Sequence, residues 1–415
     1  MSKRWIRSAS LLFVGAFIAA ACSTGGGGGG GSKGTIILAS DFPTSGADRA
    51  SGRGPEAGVD FAVSQNTTIK GFTIQHKSYD DAVNGVHDPQ KGAQNVTDMC
   101  NNNKVLAMAG PFNSNVARAE IPVANKCNLA MMSPSNTNEC LTQTFDYCDP
   151  KPSALRDSSQ PNNYFRIAAP DTVQGPAMAD FAYDTLKLTK VAVWSDNETF
   201  GKGVADNFAK EFQKKGGTVV VRQDFDWKNT SDFKTFLQRA KDAGAAGIYA
   251  GATSATKGCI PRAQEAGILT AAGIPYMGPD GIGDSQCIKD AGGEASNMYF
   301  TNAAADASQD SANKDLIDQF KKAYTGPDDY AAYTFPGYDC AKILLDAISR
   351  AIDTAGGNMP TRKQVIDAVQ NTKNLKLSTG TYSFDKNGDP TNATMAFYQL
   401  KGTTWTFVKQ FSTGQ

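Results

Sequence analysis

An α/β fold of two lobes, each a mostly parallel sheet flanked by helices, is what this chain predicts. Three observations carry that prediction. Short apolar strands alternate with amphipathic helices over most of the length, the succession of a parallel sheet covered on both faces. That succession runs twice, once before and once after about residue 170, without any repeat in sequence. About 380 residues follow the N-terminal segment, too many for one small core and enough for two lobes of ordinary size.

The first segment reads as a targeting element. In residues 1–21, Lys3, Arg4 and Arg7 make a positive start, and Leu11 to Ala21 form an apolar run too short to span a bilayer comfortably. Ala19-Ala20-Ala21-Cys22 looks like a lipoprotein box, with lipidation of Cys22 after cleavage; an ordinary secretory peptide cut after Ala21 is the other reading. Residues 22–33, with seven consecutive glycines from Gly25 to Gly31, form a flexible tether. Both readings export the chain.

The body then follows in order. Gly34 to Ser40 reads as a strand and Pro55 to Gln65 as the helix behind it. Phe72 to Tyr79 is a second strand, and Asp88-Pro89 caps the next helix, with Ala93, Val96 and Cys100 on one face. Val105–Ala109 and Leu129–Met132 continue the sheet with a helix between them. In the second series the strands are Lys190–Trp194, Thr218–Arg222, Gly247–Ala250 and Ile274–Gly278, separated by helices at 173–187, 202–215, 231–243 and 256–266. Asp310–Tyr324, Tyr338–Thr354 and Thr361–Asn371 read as helices, the last opened by the capping box Thr361-Arg-Lys-Gln364. The tail turns antiparallel: Thr381–Phe384, a turn at Asn387-Gly388, Met395–Leu400 and Thr404–Phe411.

Bulk properties exclude several classes. Lys+Arg and Asp+Glu both number 41, and a net charge of zero disfavours a nucleic-acid binder. Beyond Cys22 the cysteines lack any C-x-x-C spacing, and only His76 and His87 are available to a zinc site, so disulfides fit better than metal. Pairing sequence neighbours gives Cys100–Cys127, Cys140–Cys148 and Cys259–Cys287 and leaves Cys340 in an apolar helix; other pairings remain open. With two histidines a nucleophilic triad has few possible bases. Gly30-Gly31-Ser32-Lys33-Gly34 matches G-x-S-x-G but lies in the tether, without the strand and helix that motif needs. Asp385-Lys-Asn387-Gly-Asp389 starts like a calcium loop, yet Pro390 and Ala396 stand where glycine and glutamate belong, so it reads as a turn. No constellation supports catalysis, a metal or a cofactor.

What remains is a cleft. Ligands of alternating sheets collect beyond the carboxyl ends of the strands, and three loops there are small and polar. Gly110-Pro111-Phe112-Asn113-Ser114-Asn115 leads into a helix, whose N-terminal amides and the Ser114 hydroxyl suit an anion. Ser133-Pro134-Ser135-Asn136-Thr137 adds hydroxyls and amides. Met277-Gly278-Pro279-Asp280-Gly281 brings a carboxylate from the second series. Donors on one side and an acid on the other suit a zwitterion, although each loop alone would mean only a turn.

These residues resemble a known family. Over roughly residues 34–411 the chain is similar to substrate-binding proteins of branched-chain amino-acid ABC transporters, the leucine/isoleucine/valine-binding group of type I periplasmic binding proteins. The likeness rests on Thr44-Ser45-Gly46, Tyr79-Asp80-Asp81, the ungapped stretch Gly110 to Thr137, Asp171-x-x-Gln174-Gly175-Pro176, Phe200-Gly201-Lys202-Gly203, Gly278-Pro279-Asp280-Gly281 and Phe384-Asp385-x-x-Gly388-Asp389. It implies a two-lobe type I fold with three hinge crossings, lobe 1 formed by residues 34–168 and 303–376 and lobe 2 by residues 169–302 and 377–415. It also implies that Ser114, Ser135 and Thr137 hold the ligand carboxylate, that Asp280 takes the place of a family glutamate toward the α-ammonium, and that Phe200 covers the ligand. Phe112 and Tyr338 are candidates for the side-chain pocket, with Asn113 and Asn136 as polar neighbours. A family tyrosine is replaced here by Ala252 or Thr253. An extra segment near Asn138–Pro152 carries Cys140 and Cys148 and forms a stapled flap at the rim.

The expected protein is therefore no enzyme and needs no cofactor. It is an extracytoplasmic monomer, anchored to the membrane through its lipid, that hands an amino acid or related solute to ABC permease subunits after lobe closure. A ligand-sensing receptor subunit, and a binder of amides, urea or other small solutes, are the alternatives.

Overall fold

The computed structural model describes residues 32–269 and 273–413. Residues 1–31, with the segment read as a signal peptide, Cys22 and the glycines, lie outside them. The chain opens with β1 (Thr35–Phe42), α1 (Arg49–Ser64), the short β2 (Thr68–Ile69), β3 (Phe72–Asp80), the ribbon β4 (Ala82–Val83) and β5 (Val86–His87), and α2 (Pro89–Cys100). It continues with β6 (Val105–Ala109), α3 (Ser114–Lys126), β7 (Ala130–Ser133), α4 (Pro152–Leu155) and β8 (Tyr164–Arg166). These strands form a sheet in the order β2-β3-β1-β6-β7-β8, parallel except for β2. Its central strands are buried along their whole length, as in β6, which explains their near-continuous apolar sequences.

The second series runs α5 (Asp171–Asp180), β9 (Lys190–Ser195), α6 (Thr199–Lys214), β10 (Thr218–Asp224), α7 (Lys234–Asp242), β11 (Ile248–Gly251), α8 (Ile260–Gln264), β12 (Tyr276–Gly278), α9 (Ser285–Ala291) and β13 (Met298–Asn302). After α10 (Lys314–Ala323), α11 (Thr334–Thr354), α12 (Arg362–Gln370) and the ribbon β14 (Leu375–Lys376) and β15 (Thr381–Tyr382), the chain returns as β16 (Ala393–Lys401) and β17 (Thr404–Thr413). The second sheet has the order β10-β9-β11-β12-β13-β16-β17, parallel to β13 and antiparallel beyond it. Helices α11 and α12 turn back and share the core of the first sheet, where Leu344, Ile348 and Val365 meet Leu106 and Met132. Among the described residues no helix is long and apolar enough to cross a membrane.

Local chemistry sets the helix ends. Asp88 accepts from the Lys91 amide at 2.8 Å with Pro89 in the first turn of α2, and Thr361 and Gln364 close a reciprocal capping box on α12. Two helices begin earlier than the sequence implies. Helix α1 starts at Arg49, not Pro55, because its small residues nest against neighbours; Gly58 lies so close to α11 that a methyl group would collide with the Thr334 carbonyl. Tertiary packing here outweighs weak helix propensity and an interior proline. Helix α11 starts at Thr334 rather than Tyr338. Strands β8 and β13 were not anticipated. Thr381–Tyr382 pairs with Leu375–Lys376 rather than with the tail, and the Asn387-Gly388 turn bridges only Phe384 and Pro390.

The cysteines pair as neighbours, Cys100–Cys127, Cys140–Cys148 and Cys259–Cys287, with Cys340 free and buried in α11. Denaturation without reductant is expected to expose one thiol among these seven cysteines. Thiol titration giving seven would contradict the pairing.

Candidate functional site

The site starts where β6 and β7 end. At Gly110 the backbone takes a φ of +122°, and a Cβ there would strike the Asp41 carbonyl, so only glycine turns the chain at this point. Asn113 then stands before α3. The loop after β7 is sewn to this one: Ser133 Oγ donates to the Pro111 carbonyl at 2.7 Å and accepts from the Asn136 amide at 2.9 Å. Ser135 Oγ and Asn136 Nδ2 both donate to the Phe112 carbonyl, at 3.0 and 2.7 Å. These bonds hold the free amides of the first turn of α3 beside the hydroxyls of Ser114 and Ser135.

Residues of both sheets meet at one cavity. Phe112, Asn113, Ser114 and Ser135 come from the first; Phe200 at the start of α6, Thr253 after β11, and Asp280 and Gly281 after β12 come from the second. The cavity is closed down to about 10 Å³, about the room of one water. Asn113 Oδ1 is buried there without a hydrogen-bond partner among the described residues.

Asp280 is the charged member. Its oxygens accept from Gln174 Nε2 and Tyr333 Oη, each at 2.7 Å, and no lysine or arginine pairs with it among the described residues. Burial pushes its carboxyl up to about 6, against the opposing pull of those two donors. Asp171 lies in the same electrostatic neighbourhood. Burial, then Glu139, drive its carboxyl well above the usual range, against the opposing pull of the Thr137 hydroxyl. A carboxylate held this way favours a cation.

Not every residue expected at the site reaches the cavity. Tyr338 is a correction: in the second turn of α11 its hydroxyl donates to Gln65 at 2.9 Å and its ring packs on Phe61 and Phe335. Tyr333, just before that helix, stands behind the lining, bonded to Asp280 and edge-on to Phe112 at 5.5 Å. Asn136 accepts from Tyr164 Oη at 3.0 Å and serves the loop, while the Thr137 hydroxyl is turned toward Asp171. Ala252 is buried outside the lining, leaving Thr253. Gln174 and Asp171 belong to a stretch legible in the sequence, but without the fold nothing marked which atom they touch.

Around the cavity the two sheets' loops are fastened. Ser51 Oγ donates to Asp284 at 2.9 Å, Asn138 Nδ2 to the Thr199 carbonyl at 3.0 Å, Asn207 Nδ2 to Glu139 at 2.9 Å, and Asn115 to Glu198. His87 joins them: it bonds Asp48 on its own side and lies 4.0 Å from Glu198 across the gap. Burial opposes its charge, yet Asp48 and then Glu198 raise it to about 10, so the ring is cationic at neutral pH. At the rim, the Cys140–Cys148 segment and the start of α6 enclose a larger cavity of about 550 Å³, walled by Tyr147 and Leu155 and by Arg118, Lys202 and Lys210.

Comparison with known proteins follows the same outline. A periplasmic binding protein family model matches residues 39–404. A leucine-, isoleucine-, valine-, threonine- and alanine-binding protein of Pseudomonas aeruginosa is 27% identical over 380 residues, covering 90% of this chain and 92% of that protein. The chain shares its fold with a leucine-binding protein of Thermotoga maritima (TM-score 0.76, 23% identity, 90% of this chain and 98% of that one). It also shares it with a branched-chain amino-acid transporter substrate-binding protein of Streptococcus pneumoniae solved with isoleucine (TM-score 0.73, 21% identity, 91% and 99%).

Proposed function

The chain belongs to the periplasmic binding protein family, and from that premise we propose that it captures an amino acid, branched-chain or related, between two hinged lobes and delivers it to an ABC importer. The family is one of extracytoplasmic binding proteins, not enzymes. In this reading residues 34–168 with 303–376 and residues 169–302 with 377–415 move as the lobes, and Cys22 carries the lipid anchor. Ser114, Ser135 and the first amides of α3 take the ligand carboxylate. Asp280 and Asn113 Oδ1 take the ammonium, Phe200 covers the ligand, and Phe112, with Tyr333 behind it, lines the side-chain end. The names of the relatives support an aliphatic amino acid.

One observation carries the proposal: an acid without a cation from one sheet and a helix N-terminus from the other face the same closed cavity. A cavity of about 10 Å³ admits no amino acid, so entry requires the loops to part and the ligand's differential contacts to favour the bound closure. A thermal-shift screen of amino acids, amides, urea and short carboxylates tests it. Amino acids raise the melting temperature through mass action; a response to urea or amides alone would contradict the assignment.

Two further results are expected. Ser114→Ala weakens binding of the best amino acid by about 1–3 kcal/mol, read by calorimetry, because a hydroxyl facing a buried carboxylate is lost. Affinity also depends on pH through Asp280. Its carboxyl, raised to about 6, must be ionised to hold the ammonium, so binding is full above that value. Below it binding weakens by up to about tenfold per pH unit, and Asp280→Asn flattens the profile. An affinity constant from pH 7 to 5 would contradict this role.

A further inference from the structure

A second acidic constellation lies in the first sheet, and none of its residues lines the ligand cavity. Asp41 is the last residue but one of β1, Asp81 follows β3, and Glu120 projects from α3; all three are fully buried. One carboxylate oxygen from each stands within 4.8 Å of the other two. Asp41 follows Ile37 and Ala39 on the face covered by Val96 of α2 and Ile121 of α3, so the group is sealed between sheet and helices. Asn95 Nδ2 donates to both Asp41 oxygens, at 2.9 and 3.2 Å. Asp81 is different: it comes from a separate segment, brings an oxygen within reach of the other two, and among the described residues neither of its oxygens has a hydrogen-bond partner. Glu120 faces Asp41 at hydrogen-bonding range, carboxyl to carboxyl, and among the described residues neither Glu120 oxygen receives a hydrogen bond from any other group. No lysine or arginine pairs with the three among the described residues, and the nearby His87 already serves Asp48 and Glu198. Burial first, then mutual repulsion, drives the Asp81 and Glu120 carboxyls well above their usual range.

Such a cluster is neutralised either by shared protons or by a cation. Protons satisfy it poorly, because each neutral carboxyl donates one O–H and leaves other buried oxygens bare. A hard cation accepts an oxygen from every member at once. Opposite oxygens around calcium stand about 5 Å apart, and calcium sheds its water more readily than magnesium, as a sealed site demands. We propose that Asp41, Asp81 and Glu120 bind a calcium ion that ties the ends of β1 and β3 to α3. The sequence alone indicated no metal, since each of these acids lies about 40 positions from the next.

The test uses the exported protein, stripped with chelator and titrated with calcium chloride and, separately, magnesium chloride. Calorimetry and elemental analysis are expected to give one calcium per chain, with a melting temperature that rises as calcium is added. Asp81→Asn and Glu120→Gln, each folded by circular dichroism, lose both the bound ion and the rise. A wild-type chain that binds no metal at millimolar calcium overturns the site in favour of shared protons, whether or not the variants fold. Binding of magnesium with no response to calcium overturns the choice of ion.

Discussion

Replacing Asp280 with alanine is expected to weaken amino-acid binding by about 2–5 kcal/mol, roughly thirtyfold to several thousandfold in Kd. The carboxylate is buried, has no cationic partner among the described residues and keeps its place through Gln174 and Tyr333. Removing it leaves the ligand ammonium facing two dipoles in a site closed to water. Asp280→Asn keeps the shape and tests charge alone, so it should fall in the same range. Isothermal titration measures the loss directly. An unchanged affinity would remove Asp280 from the site.

Asp389→Ala is expected to destabilise the fold by about 3–5 kcal/mol, the cost of leaving a buried charge without its partner. Arg166 is fully buried in β8 and donates through Nε to Asp389 at 2.7 Å, with its other nitrogens on Asn136, Asn138 and Thr142. Asp389 lies in the turn before β16, and it also accepts from Thr142 and Gln143. One carboxylate thus binds the first sheet to the strand that leads into the second. Burial raises the Asp389 carboxyl, but Arg166 outweighs that and holds it below the ordinary carboxylate range. Its stabilisation is therefore present above the unfolded value near 4 and is lost as pH falls through the folded one. Urea denaturation at neutral pH should show the full loss in the variant and a smaller gap in acid. A loss under about 1 kcal/mol would contradict the role.

How far the chain could be read shows in particular residues. Val105–Ala109 and Lys190–Trp194 were legible because a strand buried on both faces reads as an apolar run, here Val191 to Trp194 in the second. Asp88-Pro89 and Thr361–Gln364 were legible because caps are local chemistry. Strand β8 was hidden by Arg166, whose charge makes sense only beside an aspartate 223 positions away. Helix α1 was shortened by Pro55 and its glycines, which are tolerated because α11 packs tightly on them. At the site, the loops around Ser114, Ser135 and Asp280 were legible as strand ends carrying donors and an acid. The sequence could not orient Thr137 and Asn136, since a hydroxyl or amide in a loop turns either way. Tyr333 was missed for Tyr338 because the start of α11 decides which ring faces Asp280.

The most direct test is a crystal structure of the exported protein with the amino acid that binds it most tightly. The ligand should lie between the two sheets, its carboxylate on Ser114, Ser135 and the amides opening α3, its ammonium on Asp280. A well-ordered ligand lodged in the rim cavity beside Tyr147, or anywhere else outside that gap, would contradict the account.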